Sequence, residues 1–267
     1  MVAFDFEYDG LVLSDMGYTI CSFDGSDGLQ TVSNGSQITF DTIPTLGGRK
    51  HELIDAKYEN CLESTFQICK NPCGSNDWEI SMDELRYLMR WLNRKTFHKF
   101  KWIHDDYFDL YLEASFNINK ISVGGRICGL ELTMTTNRPF SLRSPRTITI
   151  KNSKANGIQS IFDVSDEEGF IYPYTEISLQ SSGTLIIHNS LDTDDKIMSI
   201  KNCSNGETLT FDYPYVYSSI PGHKIENDFN WKFLQIGNTF HNKRNDLTIS
   251  LPCTINISYS PVIKSGV

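Results

Sequence analysis

His98, His104, Asp105 and Asp106 are the residues of this chain most readily drawn as a divalent-metal site, since imidazoles and carboxylates are common ligands. They flank a predicted hairpin turn, where consecutive aspartates are also ordinary turn chemistry. Cys61, Cys69 and Cys73 lie close together in sequence. Their spacing is not C-x-x-C, no second pair follows, and Cys61 and Cys69 fall along one predicted strand, so a zinc or disulfide reading is weak. Asp192, Asp194 and Asp195 resemble the opening of a calcium loop but lack its glycine and its distant glutamate. No G-x-S-x-G, P-loop lysine or H-E-x-x-H is present. Nothing selects two of the 33 acids as a glycosidase pair. The expectation is a protein that is not an enzyme, with no metal and no cofactor.

Aromatic residues suggest a different chemistry. Tyr172, Tyr174, Tyr213, Tyr215, Tyr217, Phe229 and Trp231 gather in the second half. Exposed, they could stack on sugar rings, and Tyr215, Tyr217 and Trp231 are the candidate glycan contacts. Otherwise they are core and strand-face residues of a sandwich.

The elements that would position these residues are mostly strands. The chain has 267 residues, enough for two domains each with its own core. Its net charge is -9, and acids outnumber Lys and Arg in both halves, so neither half offers the basic stripe of a nucleic-acid binder. Met1–Gly10 holds three acids and no Lys or Arg, unlike a secretory signal. The longest apolar runs are strand-sized, short of the roughly 20 residues that span a bilayer. With seven cysteines, an odd number, synthesis in a reducing cytoplasm with free thiols is expected.

Period-2 alternation predicts strands at Phe4–Tyr8, Tyr18–Phe23, Ser36–Asp41, a long Tyr58–Lys70, and Arg126–Thr136. The segment from Pro44 to Lys50 breaks the pattern as a loop. One helix is predicted over residues 81–94. Ser81 and Glu84 form a capping box, and Leu85, Leu88, Met89 and Leu92 mark an apolar face. An aromatic hairpin, Phe97–Asn119, turns at Asp105-Asp106. In the second half Glu176–Leu179 pairs with Thr184–His188 as one expected hairpin. Lys196–Lys201 and Thr208–Tyr213 flank Asn205-Gly206 as another. Phe233–Ile236, Leu247–Leu251 and Thr254–Tyr259 complete a predicted antiparallel sandwich.

The order of these elements resembles the phage distal tail protein family. Gly17-Tyr18, the helix from Met82 to Trp91-Leu92, Asp105-Asp106-Tyr107 and Arg138-Pro139-Phe140 carry the resemblance in the first half. Tyr172-Pro173-Tyr174, Ser182-Gly183-Thr184, Asn205-Gly206-Glu207, Phe233-Leu234-Gln235 and the closing Ile255–Pro261 carry it in the second. The resemblance implies a mainly β chain. Residues 1–148 would form a ring-forming β-sandwich with the packed helix. Residues 149–267 would form a galectin-like, jelly-roll or carbohydrate-module-like sandwich. It further implies a hexameric ring in the virion tail, joining the tail tube protein to a tail-tip or tail-associated protein or tail fibre, beside the tape measure protein. DNA would pass through the lumen without specific binding, and no membrane would be entered. Pro44, Leu46, Gly47, Gly48, Arg49 and Lys50 are, by position, the belt loop gripping a neighbouring subunit. The other reading is a carbohydrate- or receptor-binding module of the tail tip.

Overall fold

A computed structural model describes residues 5–23, 35–73 and 77–264, without the side chain of Asp194. Phe4, at the head of the expected opening strand, lies outside the described residues. The chain divides into two compact units, Met1–Arg143 with Ile263–Val267, and Ser144–Val262. As the sequence suggested, the fold is mainly β, with one helix of substance.

The first unit contains β1 (Phe6–Tyr8), β2 (Leu11–Val12), β3 (Tyr18–Cys21), β4 (Ile38–Pro44), β5 (His51–Tyr58), β6 (Glu63–Lys70), α1 (Met82–Leu92), β7 (His98–Trp102), β8 (Leu110–Val123), β9 (Arg126–Thr136) and β10 (Ser141–Arg143). Its main sheet runs β2-β1-β7-β8-β9-β6-β3, and β10 pairs with β8. The β8–β9 hairpin reverses at Gly124 and Gly125, both with φ near the left-handed values that a two-residue hairpin turn needs. The core is aromatic: Phe6, Tyr8, Phe100, Phe116 and Trp102 are buried, and Phe6 makes ring contacts with Phe100, Phe116 and Trp91.

Helix α1 carries the expected capping box in full. The Glu84 N–H donates to Ser81 Oγ, and the Ser81 N–H donates to Glu84 Oε2 at 2.7 Å. Its buried face is Leu85, Leu88, Trp91 and Leu92; Met89 is exposed, a correction to the expected stripe. The reason lies in Trp91, whose indole N–H donates to the Tyr8 carbonyl at 3.0 Å and turns the apolar arc away from Met89.

The long strand expected from Tyr58 to Lys70 is shorter: Tyr58 closes β5, and β6 begins only at Glu63. Residues 59–62 leave the β4–β5 pair and enter the main sheet, where Glu63 pairs with Thr135.

The second unit contains β11 (Arg146–Asn152), β12 (Gly157–Phe162), β13 (Gly169–Ile171), β14 (Tyr174–Leu179), β15 (Gly183–Asn189), β16 (Met198–Cys203), β17 (Thr208–Asp212), β18 (Tyr215–Ser218), a short α2 (Ile225–Asp228), β19 (Ile236–Asn238), β20 (Arg244–Ile249) and β21 (Cys253–Tyr259). A five-stranded sheet, β11-β21-β14-β17-β18, and a four-stranded sheet, β12-β20-β15-β16, share one core. Strand β21 shows the logic: Cys253, Ile255, Ile257 and Tyr259 are buried, and the alternate Thr254, Asn256 and Ser258 are not.

Both expected hairpins of this unit are corrected. Strands β14 and β15 belong to different sheets, as do β16 and β17. The turns at Ser181–Gly183 and Asn205-Gly206 therefore carry the chain across the core. Ile177 and Leu185, and likewise Ile200 and Leu209, then bury their side chains in the shared core from opposite sheets.

Candidate functional site

Among the described residues, strands β4 and β5 pair only with each other, in a two-stranded sheet outside the main one. Their register runs from Ile38↔Tyr58 to Pro44↔His51, with an irregularity beside Asp41 and Thr42 that skips Ile54. Of the expected belt residues, Pro44 is the last residue of β4, and Leu46, Gly47, Gly48 and Arg49 form the tip. The Thr45 N–H donates to the Lys50 carbonyl at 2.8 Å, and Gly47 and Gly48 both take positive φ. Lys50 pairs with Glu52 at 2.7 Å. The expected loop is thus the tip of an arm, and β5 is the part sequence reasoning missed. Its charged residues, Glu52, Asp55 and Lys57, obscured any alternation.

This arm has no apolar interior. Phe40, Ile43, Leu46, Leu53 and Ile54 are all more than half exposed, and Leu46 is fully so. An isolated two-stranded ribbon is marginal in water, and adjacent exposed large apolar side chains mark an interaction surface.

In the second unit the aromatic set separates. Tyr215 and Tyr217 project from edge strand β18, their rings 6.5 Å apart. Trp231 makes no ring contact with either. It packs on Phe229 at 5.4 Å and lines a cleft of about 390 Å³ with Tyr172, Tyr213 and Gln235. Tyr172 and Tyr213 stack face to face, 4.5 Å apart at 9°. Trp231 has φ +58°, a conformation that costs a bulky residue about 1–3 kcal/mol. Asn230 clamps it there: its side-chain oxygen accepts from the backbone N–H groups of Ser199 and Lys232, and its amide donates to Ile197 O.

The groups that could bind metal do not converge. Among the described residues no three His, Cys, Asp or Glu side chains could hold an ion together. His98 bonds Thr96 and faces Asp9, while His104 accepts the Asp106 N–H as a helical cap. Asp105 and Asp106 belong to that single turn. Asp192 accepts from Asn189 N and is half-buried, which raises its carboxyl above the ordinary range. Cys61, Cys69 and Cys73 are free thiols. No helix among the described residues is long and apolar enough to cross a membrane.

The polar cluster that sequence reasoning missed surrounds Glu207, which is fully buried. It accepts from Ser218 Oγ at 2.6 Å, from the Ser204 N–H at 2.8 Å and from His223 Nδ1. Burial by itself would raise this carboxyl, but those hydrogen bonds outweigh it and hold Glu207 below the usual carboxylate range. Ser, His and Glu are all present, yet Ser218 donates to the carboxylate rather than to the imidazole. His223 Nε2 is already engaged with the Lys201 carbonyl at 2.9 Å. This arrangement ties α2 and β18 to the sheets; it does not activate a nucleophile.

Comparison with known proteins agrees with this picture. Residues 1–138 match a family described as the phage tail protein N-terminal domain, and residues 140–259 match the phage tail C-terminal domain. No curated protein sequence matches the chain. Among solved structures, the chain is similar to the Dit (gp 19.1) protein of SPP1, described as a paradigm of the hub adsorption apparatus in phages infecting Gram-positive hosts. The TM-score is 0.63 at 14% identity, over 96% of this chain and 98% of that one. A two-domain β architecture with an exposed arm, matched over nearly its whole length by these models, places the chain in the phage tail protein family, with the fold of a Dit hub protein.

Proposed function

We propose that this chain is a structural distal tail protein of a tailed phage or phage-like particle. Six copies close into a ring through the first unit, and the β4–β5 arm of each copy clasps the next. The ring joins the tail tube to the tail-tip or tail-associated protein, with the tape measure protein alongside. The hub role is carried over from SPP1 Dit, whose fold the chain shares. The protein is made in the host cytoplasm and functions in the virion tail without catalysis.

One observation supports this reading: an arm with five apolar side chains more than half exposed and no interior of its own among the described residues. Such an arm needs a surface to lie on, and a head-to-tail interface that closes on itself supplies one in every subunit. The net charge of -9 suits a lumen that DNA traverses without adhering, and acids should outnumber Lys and Arg among lumen-facing side chains.

Negative-stain electron microscopy across a concentration series tests the proposal. The wild-type chain should form rings with a central hole, and deletion of Leu46–Arg49 should abolish them without unfolding the subunit. Unaltered rings in the deletion variant would remove the arm from the interface.

A further inference from the structure

The turn between β7 and β8 presents a phenylalanine to solvent. Phe108 is 86% exposed, and Asp105, Asp106 and Asp109, which flank it in the chain, are exposed as well. The turn is ordered by its own hydrogen bonds. His104 Nδ1 accepts the Asp106 N–H at 3.1 Å, and the Tyr107 N–H donates to the His104 carbonyl at 3.1 Å. Tyr107 packs against the core of the first unit, and Phe108 is left outside it. A fixed turn that buries one aromatic residue and shows the next to water has the form of a docking anchor.

Helix α1 carries a surface of opposite charge. Met82, Arg86 and Met89 recur at i, i+4 and i+7 on its solvent face, with Arg90 one turn beyond Arg86. Arg86 meets Asp83 only at 4.0 Å, and Arg90 forms no ion pair among the described residues. Glu84 is already held by Lys70 at 3.0 Å and by the Ser81 N–H. On the turn, Asp106 faces His104 at 3.5 Å, and Asp105 and Asp109 form no ion pair among the described residues. The cations beside the turn do not neutralise it. Lys101 pairs with Glu7 at 3.0 Å, and Arg143, opposite Leu110 in the ladder, is one charge against three.

The two surfaces lie at opposite ends of the main sheet. The turn leads directly into Leu110, the first residue of β8. Helix α1 is tied to the far part of the β8–β9 hairpin: the Asn93 amide donates to the Phe116 carbonyl at 2.7 Å, and the Ile80 N–H, just ahead of the helix, donates to the Ile127 carbonyl at 2.8 Å. The stretch of β8 from Leu110 to Phe116 alone spans about 20 Å. The turn and the helix face therefore do not meet within one subunit. Complementary patches at opposite ends of one chain join copies head to tail.

We propose that the β7–β8 turn of one copy docks on helix α1 of the next. Phe108 lies against Met82 and Met89, whose flexible thioethers suit an aromatic ring. Asp105, Asp106 and Asp109 meet Arg86 and Arg90 as charge-assisted hydrogen-bond acceptors. This contact rests on the ring reading given above and adds to it a grip that does not use the arm.

Mass photometry over a concentration series provides the test, with the two sets of charges reversed in separate chains. R86E/R90E and D105K/D106K should each raise the assembly threshold by about tenfold or more, because each sets like charges face to face at every junction. Mixed one to one, the two variants should assemble near the wild-type threshold, since each restores the pairing for the other and a ring of even number can alternate them. The quadruple variant carrying both reversals should assemble alone. F108S should raise the threshold with an unchanged thermal melt by circular dichroism. Assembly of either reversal variant at the wild-type threshold, or no recovery in the mixture, would overturn this contact and leave the wild-type ring and its arm standing. A wild-type chain that stays monomeric at every concentration would overturn the ring reading and this contact with it.

Discussion

Replacing Phe40 and Leu53 with serine should separate assembly from folding. Both lie on the arm, 60% and 58% exposed, on strands that pair with no other sheet among the described residues. Fully burying a large apolar side chain is worth about 1.5–3 kcal/mol, so covering the exposed remainder is worth about 1–2 kcal/mol for each residue. Losing two such contacts costs about 2–4 kcal/mol at every subunit junction, which is about 30-fold to several hundred-fold in the association constant. The lower figure is the better guide, because interfaces return only part of their buried area as affinity. Exposed substitutions away from a core usually shift subunit stability by only about 0.5 kcal/mol. Mass photometry over a concentration series should therefore show the assembly threshold raised by at least about tenfold, with an unchanged thermal melt by circular dichroism. Ring formation at the wild-type threshold would refute the argument. A lowered melting temperature would show that these residues serve the fold instead.

Two further outcomes follow from groups already described. Glu207 is held below its ordinary value of 4.5, so its contribution is fully present above about pH 4.5 and is lost as pH falls toward its folded value. Urea titrations should show the second unit weakening below pH 4.5 in the wild type. In the E207Q variant that acid dependence should flatten, after a loss of about 1–3 kcal/mol at pH 7 for a disturbed buried acceptor. Ser81→Ala removes half of the α1 capping box and should cost about 1 kcal/mol, read as a melting-temperature drop of about 2–4 °C by calorimetry.

What could be read from the sequence was local. The Ser81–Glu84 box involves residues three apart, and the Arg126–Thr136 strand follows a plain Gly-Gly reversal. Pairing partners were not local. A turn such as Asn205-Gly206 fixes where the chain reverses but not whether the next strand pairs with the last or crosses to the facing sheet. That choice is made by the shared core, where Ile200 and Leu209 are buried from opposite sheets. The arm tip was visible because Gly47-Gly48 interrupts the pattern, yet its lack of an interior depends on what the main sheet leaves out. The aromatic set was visible in the second half, but sequence alone could not sort it: Tyr172, Tyr213 and Trp231 line one cleft while Tyr215 and Tyr217 lie on the edge strand. Only their spatial grouping sets Trp231 apart from Tyr215 and Tyr217.

The pairing of β11 with β21 has a mechanical consequence. These are the first and last long strands of the second unit, and they form seven antiparallel pairs beginning at Arg146↔Tyr259. Both covalent tethers of the unit therefore leave from the same end of one ladder. Once load reaches this ladder it opens from Arg146↔Tyr259 inward, so the load falls on one rung at a time and never on all seven in shear. Under such a load the second unit should come apart by peeling its edge strand β11 in small steps, before the rest of its sandwich is stressed.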